Sequence, residues 1–159
     1  GGNMYPMLAG IGPILGEGVA GYFLDADSLT TSFSYRAGIS AYAETPLHQV
    51  SSVYQLKTPN PRVAVLTDGW VASSGEAMAV AFRGRPHTRS FGTATCGLST
   101  GNATYFLSDT SRLAITTSTM ADRTRRGYGD AITPDEVIAN PDDAVTRAIQ
   151  WLIFPPPPD

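Results

Sequence analysis

The stretch Val71-Ala-Ser-Ser-Gly-Glu-Ala-Met-Ala-Val-Ala-Phe82 follows Arg62-Val-Ala-Val-Leu-Thr-Asp-Gly-Trp70, an apolar run that ends in a turn. Val63–Leu66 is unbroken and valine-rich, the pattern of a strand buried on both faces. From Ala77 to Phe82 no polar residue intervenes, and a helix that is apolar all round is a buried one. Between strand and helix stands Ser73-Ser-Gly-Glu76, which matches S-x-x-E, the capping box. In that motif the serine oxygen accepts from the backbone three residues on, and the glutamate reaches back to the cap. This structural role accounts for both residues. The other role is chemical. A serine placed where a strand ends and a helix begins presents its oxygen, and the helix N-terminus lends positive potential to a developing oxyanion. Small Ala72 and Gly75 leave room for a substrate backbone. The G-x-S-x-G elbow of the α/β-hydrolases is absent, because Val71 stands where its first glycine would be.

Outward from this turn, apolar spacing predicts a helix over Met4–Leu15, which Pro6, Gly12 and Pro13 weaken, and a strand over Val19–Leu24. Ser28–Tyr54 is mixed in composition, with strands expected near Phe33–Arg36 and Val53–Gln55. Thr88–Phe91 reads as a strand, and Thr104–Leu107 with Leu113–Thr117 as a hairpin. Asp142–Ile153 reads as a final helix, started by Asn140-Pro-Asp-Asp, with Val145, Ala148, Ile149 and Leu152 on one face. Strands and helices interleave, so the fold class is α/β.

Bulk properties bound the rest. The 159 residues suffice for one domain, and 42% hydrophobic with 16% charged residues excludes a disordered or fibrous chain. A net charge of -3 argues for neither nucleic acid nor a membrane surface as partner. No apolar run is long enough for a membrane span. The lone Cys96 has no disulfide or zinc-type partner and is expected to be a small packed residue. Arg83, Arg85, His87 and Arg89 alternate, as on a solvated edge strand; the functional alternative is recognition of a peptide's terminal carboxylate. Arg123, Arg125 and Arg126 invite the same thought. Asn102-Ala-Thr104 is a glycosylation sequon, meaningful only in a eukaryotic secretory context.

Several runs, in order, carry a resemblance: Gly1-Gly-Asn-Met4, Val63-Ala-Val-Leu-Thr-Asp68, Ala72-Ser-Ser-Gly-Glu76, Phe91-Gly-Thr-Ala-Thr-Cys-Gly97 and Ile132-Thr-Pro-Asp135. Together they resemble the tail-specific, or C-terminal processing, serine peptidases of family S41, a group that includes tricorn proteases and interphotoreceptor retinoid-binding modules. The resemblance implies a spiral α/β core shared with Clp-type peptidases and crotonases, with a mixed sheet and buried helices. It implies a partial catalytic domain over residues 1–154, whose N-terminal part lies outside the chain, and a Pro-rich tail over 155–159. It implies Ser73 as nucleophile, and an oxyanion hole from the backbone N–H of Ser74 and of Gly1 or Gly2. Neither metal nor organic cofactor is implied. The partners implied are a peptide or unstructured protein substrate and the missing N-terminal portion of the same chain, with a homo-oligomer left open. Many relatives act outside the cytoplasm.

One departure bears on mechanism. Processing peptidases of the Ser/Lys kind carry a lysine in a Phe-Gly-Lys-Gly segment, which falls here on Cys96-Gly-Leu-Ser99, and Leu98 cannot act as a base. The only lysine, Lys57, lies in a loop. Tricorn-like members take a histidine from a segment upstream of the glycine-rich turn, and their acidic helper finds no clear match, Asp130 being merely nearby. Of the histidines present, His48 is expected in a surface loop. His87 is expected at the far end of the buried helix, too distant for direct proton transfer. Three readings follow: a serine endopeptidase whose base lies outside this chain, so that this piece alone is inactive; a non-catalytic ligand- or peptide-binding module of the same fold; and a plain capping box in an unrelated α/β domain.

Overall fold

The structure, a computed structural model, describes residues 1–154. The tail expected over 155–159 lies outside the described residues. In chain order the elements are α1 (Met4–Leu15), β1 (Gly18–Asp25), β2 (Thr30–Arg36), β3 (Ile39–Tyr42), β4 (Thr45–Gln49), β5 (Val63–Thr67), α2 (Ser74–Phe82), β6 (Thr88–Gly92), β7 (Thr100–Phe106), β8 (Arg112–Asp122), β9 (Glu136–Val137) and α3 (Pro141–Ile153). They form a six-stranded antiparallel sheet, ordered β4-β3-β2-β1-β8-β7, and a three-stranded parallel sheet, ordered β5-β6-β9. The mixed α/β class is the one expected.

The main core lies between α1, α2 and the large sheet, where Leu8, Phe33, Ala77, Val80 and Met120 meet. Leu8, Phe33 and Val80 are fully buried, each contributing about 1.5–3 kcal/mol by leaving water. The helix α1 forms despite Pro13, which costs it one backbone bond. Gly12 lets it sit on β2, since a Cβ there would stand 2.0 Å from the Tyr35 ring. A second cluster joins α3 to the small sheet: the Trp151 ring lies tilted against Phe91, centroids 5.9 Å apart, and the Arg62 guanidinium lies 4.1 Å over the Trp151 ring.

Several expectations change. Val53–Gln55 is not a strand; the unread region instead forms the β3–β4 hairpin, turning at Ala43 (φ 50). Its outer strand β4 is exposed throughout and carries Pro46, which an edge strand tolerates. His48 therefore lies on a strand rather than in a loop. Among the described residues β5 is an edge strand with Leu66 48% exposed, so it is not covered on both faces. On α3 the covered face is Ala144, Ala148 and Trp151, while Val145, Ile149 and Leu152 stay partly exposed. The reason is steric: two alanines let the helix approach the sheet, and the indole then fills the space beside Phe91.

The arginines do not line a solvated edge. β6, which begins only at Thr88, is the middle strand of its sheet. Arg83 pairs with Asp135 at 2.6 Å. Buried Arg85 donates to the Leu15, Pro86 and Thr88 oxygens, and Arg89 and Arg147 flank Glu136. Arg123 donates to the Ala81 carbonyl near the end of α2. Arg125 and Arg126 lie over the Tyr22 and Tyr128 rings. These are structural ties; Arg83, Arg85 and Arg126 also line one cavity, but they share it with the carboxylates of Asp122 and Asp135.

Candidate functional site

Ser73 enters α2 with φ 53 and ψ -114. An N-cap serine ordinarily has extended backbone angles; a non-glycine residue in this sparsely populated region costs about 1–3 kcal/mol and persists only where its surroundings hold it. Glu76 is the holder. Its carboxylate is fully buried. Oε2 accepts from the N–H of Ser73 at 2.8 Å and of Leu98 at 2.9 Å. Oε1 accepts from the Thr95 hydroxyl at 2.6 Å and the Gly97 N–H at 2.9 Å. The glutamate half of the capping box is thus made. The serine half is only a loose approach: the Ser73 oxygen faces the third helical N–H without forming a cap hydrogen bond of ordinary geometry.

The four donors come from two segments. One is the turn before α2; the other is the loop after β6, fixed further by the Cys96 N–H to the Val71 carbonyl at 2.9 Å. Thr95 in turn accepts from the Ile132 N–H at 2.8 Å, which ties in the segment leading to Pro134-Asp135. Asp135 accepts from the Ser90 N–H and hydroxyl, each at 2.7 Å, and from Arg83. Burial alone would raise its carboxyl, but the Ser90 bonds and then the Arg83 charge hold it below the ordinary carboxylate range. The Ile132-Thr-Pro-Asp135 run thus anchors the loop that carries Thr95.

Ser73 opens into a cleft of about 560 Å³ between the N-terminus of α1 and the large sheet. Gly2, Ser74, Tyr42, Leu47, Thr100 and Asn102 are among its walls, and among the described residues no charged side chain is. Three of the expected site residues therefore come together: Ser73, Ser74 and Gly2. Gly2 has φ 124, a conformation that suits glycine, and a Cβ there would meet nothing within 4 Å; its requirement is conformational rather than spatial. Its carbonyl accepts from the Ser74 hydroxyl at 2.5 Å. Ser74, as the first helical residue, has a backbone N–H that the helix itself leaves unpaired. Gly1 is exposed and is not among the residues lining the cleft.

The other candidates lie apart. Leu98 is 52% exposed and contributes its N–H, not its side chain, to Glu76. His48, on β4, pairs with Ser40 of β3, and His87 stands in the turn before β6. The nine residues of α2 separate that turn from Ser73, a span of roughly 13 Å. Asp130 accepts from its neighbour Ala131 and lines no part of the cleft. Lys57 is exposed in the loop before β5. Cys96 is exposed, contrary to expectation, because its amide is the part that packs.

Two contributions escaped the sequence reading. Thr95 has no motif of its own; its signal was only a place in a small-residue run. Tyr42 and Leu47 sit in the β3–β4 hairpin, whose short strands and polar composition give a weak period. Among the described residues no group of His, Cys, Asp and Glu could hold a metal ion, and no helix is long and apolar enough to cross a membrane.

Comparison with known proteins bears on the family and the fold. The model of the family described as Peptidase family S41 matches residues 1–138. The nisin-resistance protein of Lactococcus lactis subsp. lactis is 32% identical over 155 residues, which are 96% of this chain and 46% of that protein. A solved lipoprotein from Streptococcus agalactiae superposes with a TM-score of 0.77 at 30% identity, covering 96% of this chain and 50% of its own. The photosystem II D1 C-terminal processing protease superposes at 0.61 with 18% identity, covering 92% of this chain and 35% of that one, and so shares the fold. The chain spans about half the length of the first two relatives.

Proposed function

Since this chain belongs to peptidase family S41, we propose that it carries the nucleophile and oxyanion half of a serine endopeptidase. Ser73 Oγ attacks the scissile carbonyl, giving its proton to a base. The N–H groups of Ser74 and Gly2 or Gly1 receive the oxyanion. The tetrahedral adduct collapses as the protonated base donates to the leaving amine, and water then hydrolyses the acyl-enzyme by the same route. The base is a histidine from a segment outside this chain, as in the tricorn-like group. The observation that carries this reading is the backbone of Ser73. A simple cap would sit in the extended region, whereas Ser73 is held at φ 53 by Glu76 and faces a cleft. Strained serines at strand-to-helix turns serve to expose the oxygen.

The substrate class is an extended peptide with uncharged side chains next to the scissile bond, because a charge buried against these walls would find no partner. The likeness to a protein named for nisin resistance makes nisin, itself a peptide, the first natural substrate to test. The deciding experiment compares the longest natural form of the protein with its Ser73→Ala variant on a quenched unstructured peptide and on nisin. Cleavage by the parent alone, with both folded by circular dichroism, supports the peptidase. The rival, a binding module of the same fold, is favoured by Leu98 at the position of the Ser/Lys base. Binding without cleavage by the parent would establish it instead.

A further inference from the structure

The reading of Ser73 as nucleophile leaves the neighbouring hydroxyl unused, yet Ser74 is the more buried of the two serines, at 6% exposure. Its Oγ donates to the Gly2 carbonyl at 2.5 Å, a bond joining residues 72 apart in sequence. Among the described residues no other side-chain hydrogen bond links the glycine turn, residues 1 and 2, to α2. A helix-start serine normally turns its hydroxyl to a nearby backbone group of its own segment; here it leaves the helix to hold a distant one.

Resting on the peptidase reading, we propose that the Ser74 hydroxyl is the positioning group of the oxyanion hole, fixing the Gly2 peptide against the start of α2 so that both amide donors face one point. Two physical consequences support this role. Gly2 sits at φ 124, where the backbone has many alternatives open to it; holding its carbonyl fixes one of its two peptide planes and so narrows the directions open to the N–H in the other. The Gly2 carbonyl oxygen is also a partial negative charge beside the cleft. Bound to the Ser74 hydroxyl, it is not free to face the negative charge that develops on the substrate oxygen. Ser74 thus serves twice: its N–H is one expected donor, and its hydroxyl aims the other. This is preorganisation, which acts on the transition state more than on the ground state.

The test uses the longest natural form of the protein, a quenched peptide substrate and a peptide boronic acid of the same sequence, which forms a tetrahedral adduct on a serine. Ser74→Ala keeps the N–H and removes the tether. Deleting an oxyanion donor outright costs about 10²–10³ in kcat, so a misaimed one should cost roughly 10- to 100-fold. The expected result is that loss in kcat with KM little changed, and weaker boronate binding by a similar factor. Ser74→Thr, which keeps a hydroxyl, should recover most of it. Gly2→Ala is the second variant: its methyl has open space, so its effect acts through backbone direction alone, and it should show the same kcat-weighted loss even if Ser74 variants fold poorly. If Ser73→Ala abolishes cleavage while Ser74→Ala and Gly2→Ala keep parental kcat and boronate affinity, the positioning role is overturned. If Ser73→Ala itself cleaves, the nucleophile assignment has failed instead. A Ser74→Ala variant that merely melts lower, with kcat unchanged, also refutes the proposal, because that is what a packing role predicts.

Discussion

Glu76→Gln separates what the buried carboxylate does for the fold from what it does for Ser73. In the parent, Oε2 takes the Ser73 and Leu98 amides, and Oε1 takes the Gly97 amide and the Thr95 hydroxyl. Glutamine keeps the shape but presents an NH₂ to one of these pairs. The gentler orientation puts that NH₂ toward Thr95, whose hydroxyl can turn to accept it while still accepting from Ile132. The Gly97 N–H is then left facing a donor, and the Thr95 bond to a carboxylate is lost. Bonds to a charged acceptor contribute about 1.5–3 kcal/mol each, so the loss of two, partly relieved, should destabilise by about 3 kcal/mol. For a domain of this size that lowers the melting temperature by roughly 6–12 °C. The amide oxygen still holds Ser73, so kcat should fall far less than stability. Glu76→Ala removes both pairs, should cost more than about 4 kcal/mol, and frees Ser73 to relax out of its strained angles. Thermal unfolding by circular dichroism, beside peptide cleavage by the longest natural form, reads both effects. A Glu76→Gln protein melting within about 1 °C of the parent would refute the four-donor account.

Other outcomes follow from the same contacts. Gly92 has φ 117, and a Cβ there would lie 2.1 Å from the Thr67 carbonyl on the neighbouring strand; Gly92→Ala should therefore cost about 3 kcal/mol or more in denaturant unfolding, and a loss under about 1 kcal/mol would show that β5 and β6 are not held as described. Asp122 and Asp135 have folded values below the ordinary carboxylate range; burial works against this in both, and hydrogen bonds from Thr124 and Tyr128, and from Ser90 and Arg83, prevail. Their contribution is therefore complete above the unfolded carboxylate value and is lost as pH falls through the lower folded one; Asp135→Asn should flatten that acid limb in urea midpoints measured against pH. Tyr5 and Tyr128 are raised from 10.0 to about 12, first by burial and, for Tyr128, then by its bond to Asp122. Their contribution is present below the unfolded value and disappears as pH climbs to the folded one, so Tyr128→Phe should weaken the alkaline loss of stability.

How much of this was legible in the sequence depended on whether one segment's own pattern carried the information. The helix over Met4–Leu15, the buried helix after Ser73 and the β7–β8 hairpin follow from spacing within each stretch, and all three stand. The face of α3 followed only at Ala148: the expected stripe of Val145, Ala148, Ile149 and Leu152 is rotated, and Ala144 and Trp151 join Ala148 on the covered side. What decided it was the space beside Phe91, a fact about another segment. The same holds at the site. Ser-x-x-Glu marked Ser73 and Glu76, but a capping box and a strained serine share that signature, and only the backbone angles at Ser73 distinguish them. The convergence of Thr95, Gly97 and Leu98 on Glu76, and of Gly2 on Ser74, joins residues too far apart for any local pattern to record.

The base can be sought by elimination within the fold. Among the described residues no histidine, lysine, aspartate or glutamate lines the cleft with Ser73. His48 follows Leu47, which does line it, but is not itself among the lining residues, and a bulge in the β3–β4 pairing falls at Leu47. His87 lies beyond the far end of α2, roughly 13 Å away, whereas proton transfer needs contact at about 3 Å. A His48→Ala, His87→Ala double variant of the longest natural form should therefore cleave peptide at close to the parental rate. Removing a true general base costs about 10²–10⁴-fold, so the two outcomes are far apart. The pH profile sharpens the choice. If the serine is activated by a histidine, kcat/KM should fall on the acid side near the ordinary imidazole value of about 6.5. That limb surviving in the double variant would assign it to a histidine outside this chain; its disappearance, or a rate lost by two decades, would place the base on β4 or beside β6 and overturn the geometry argued here.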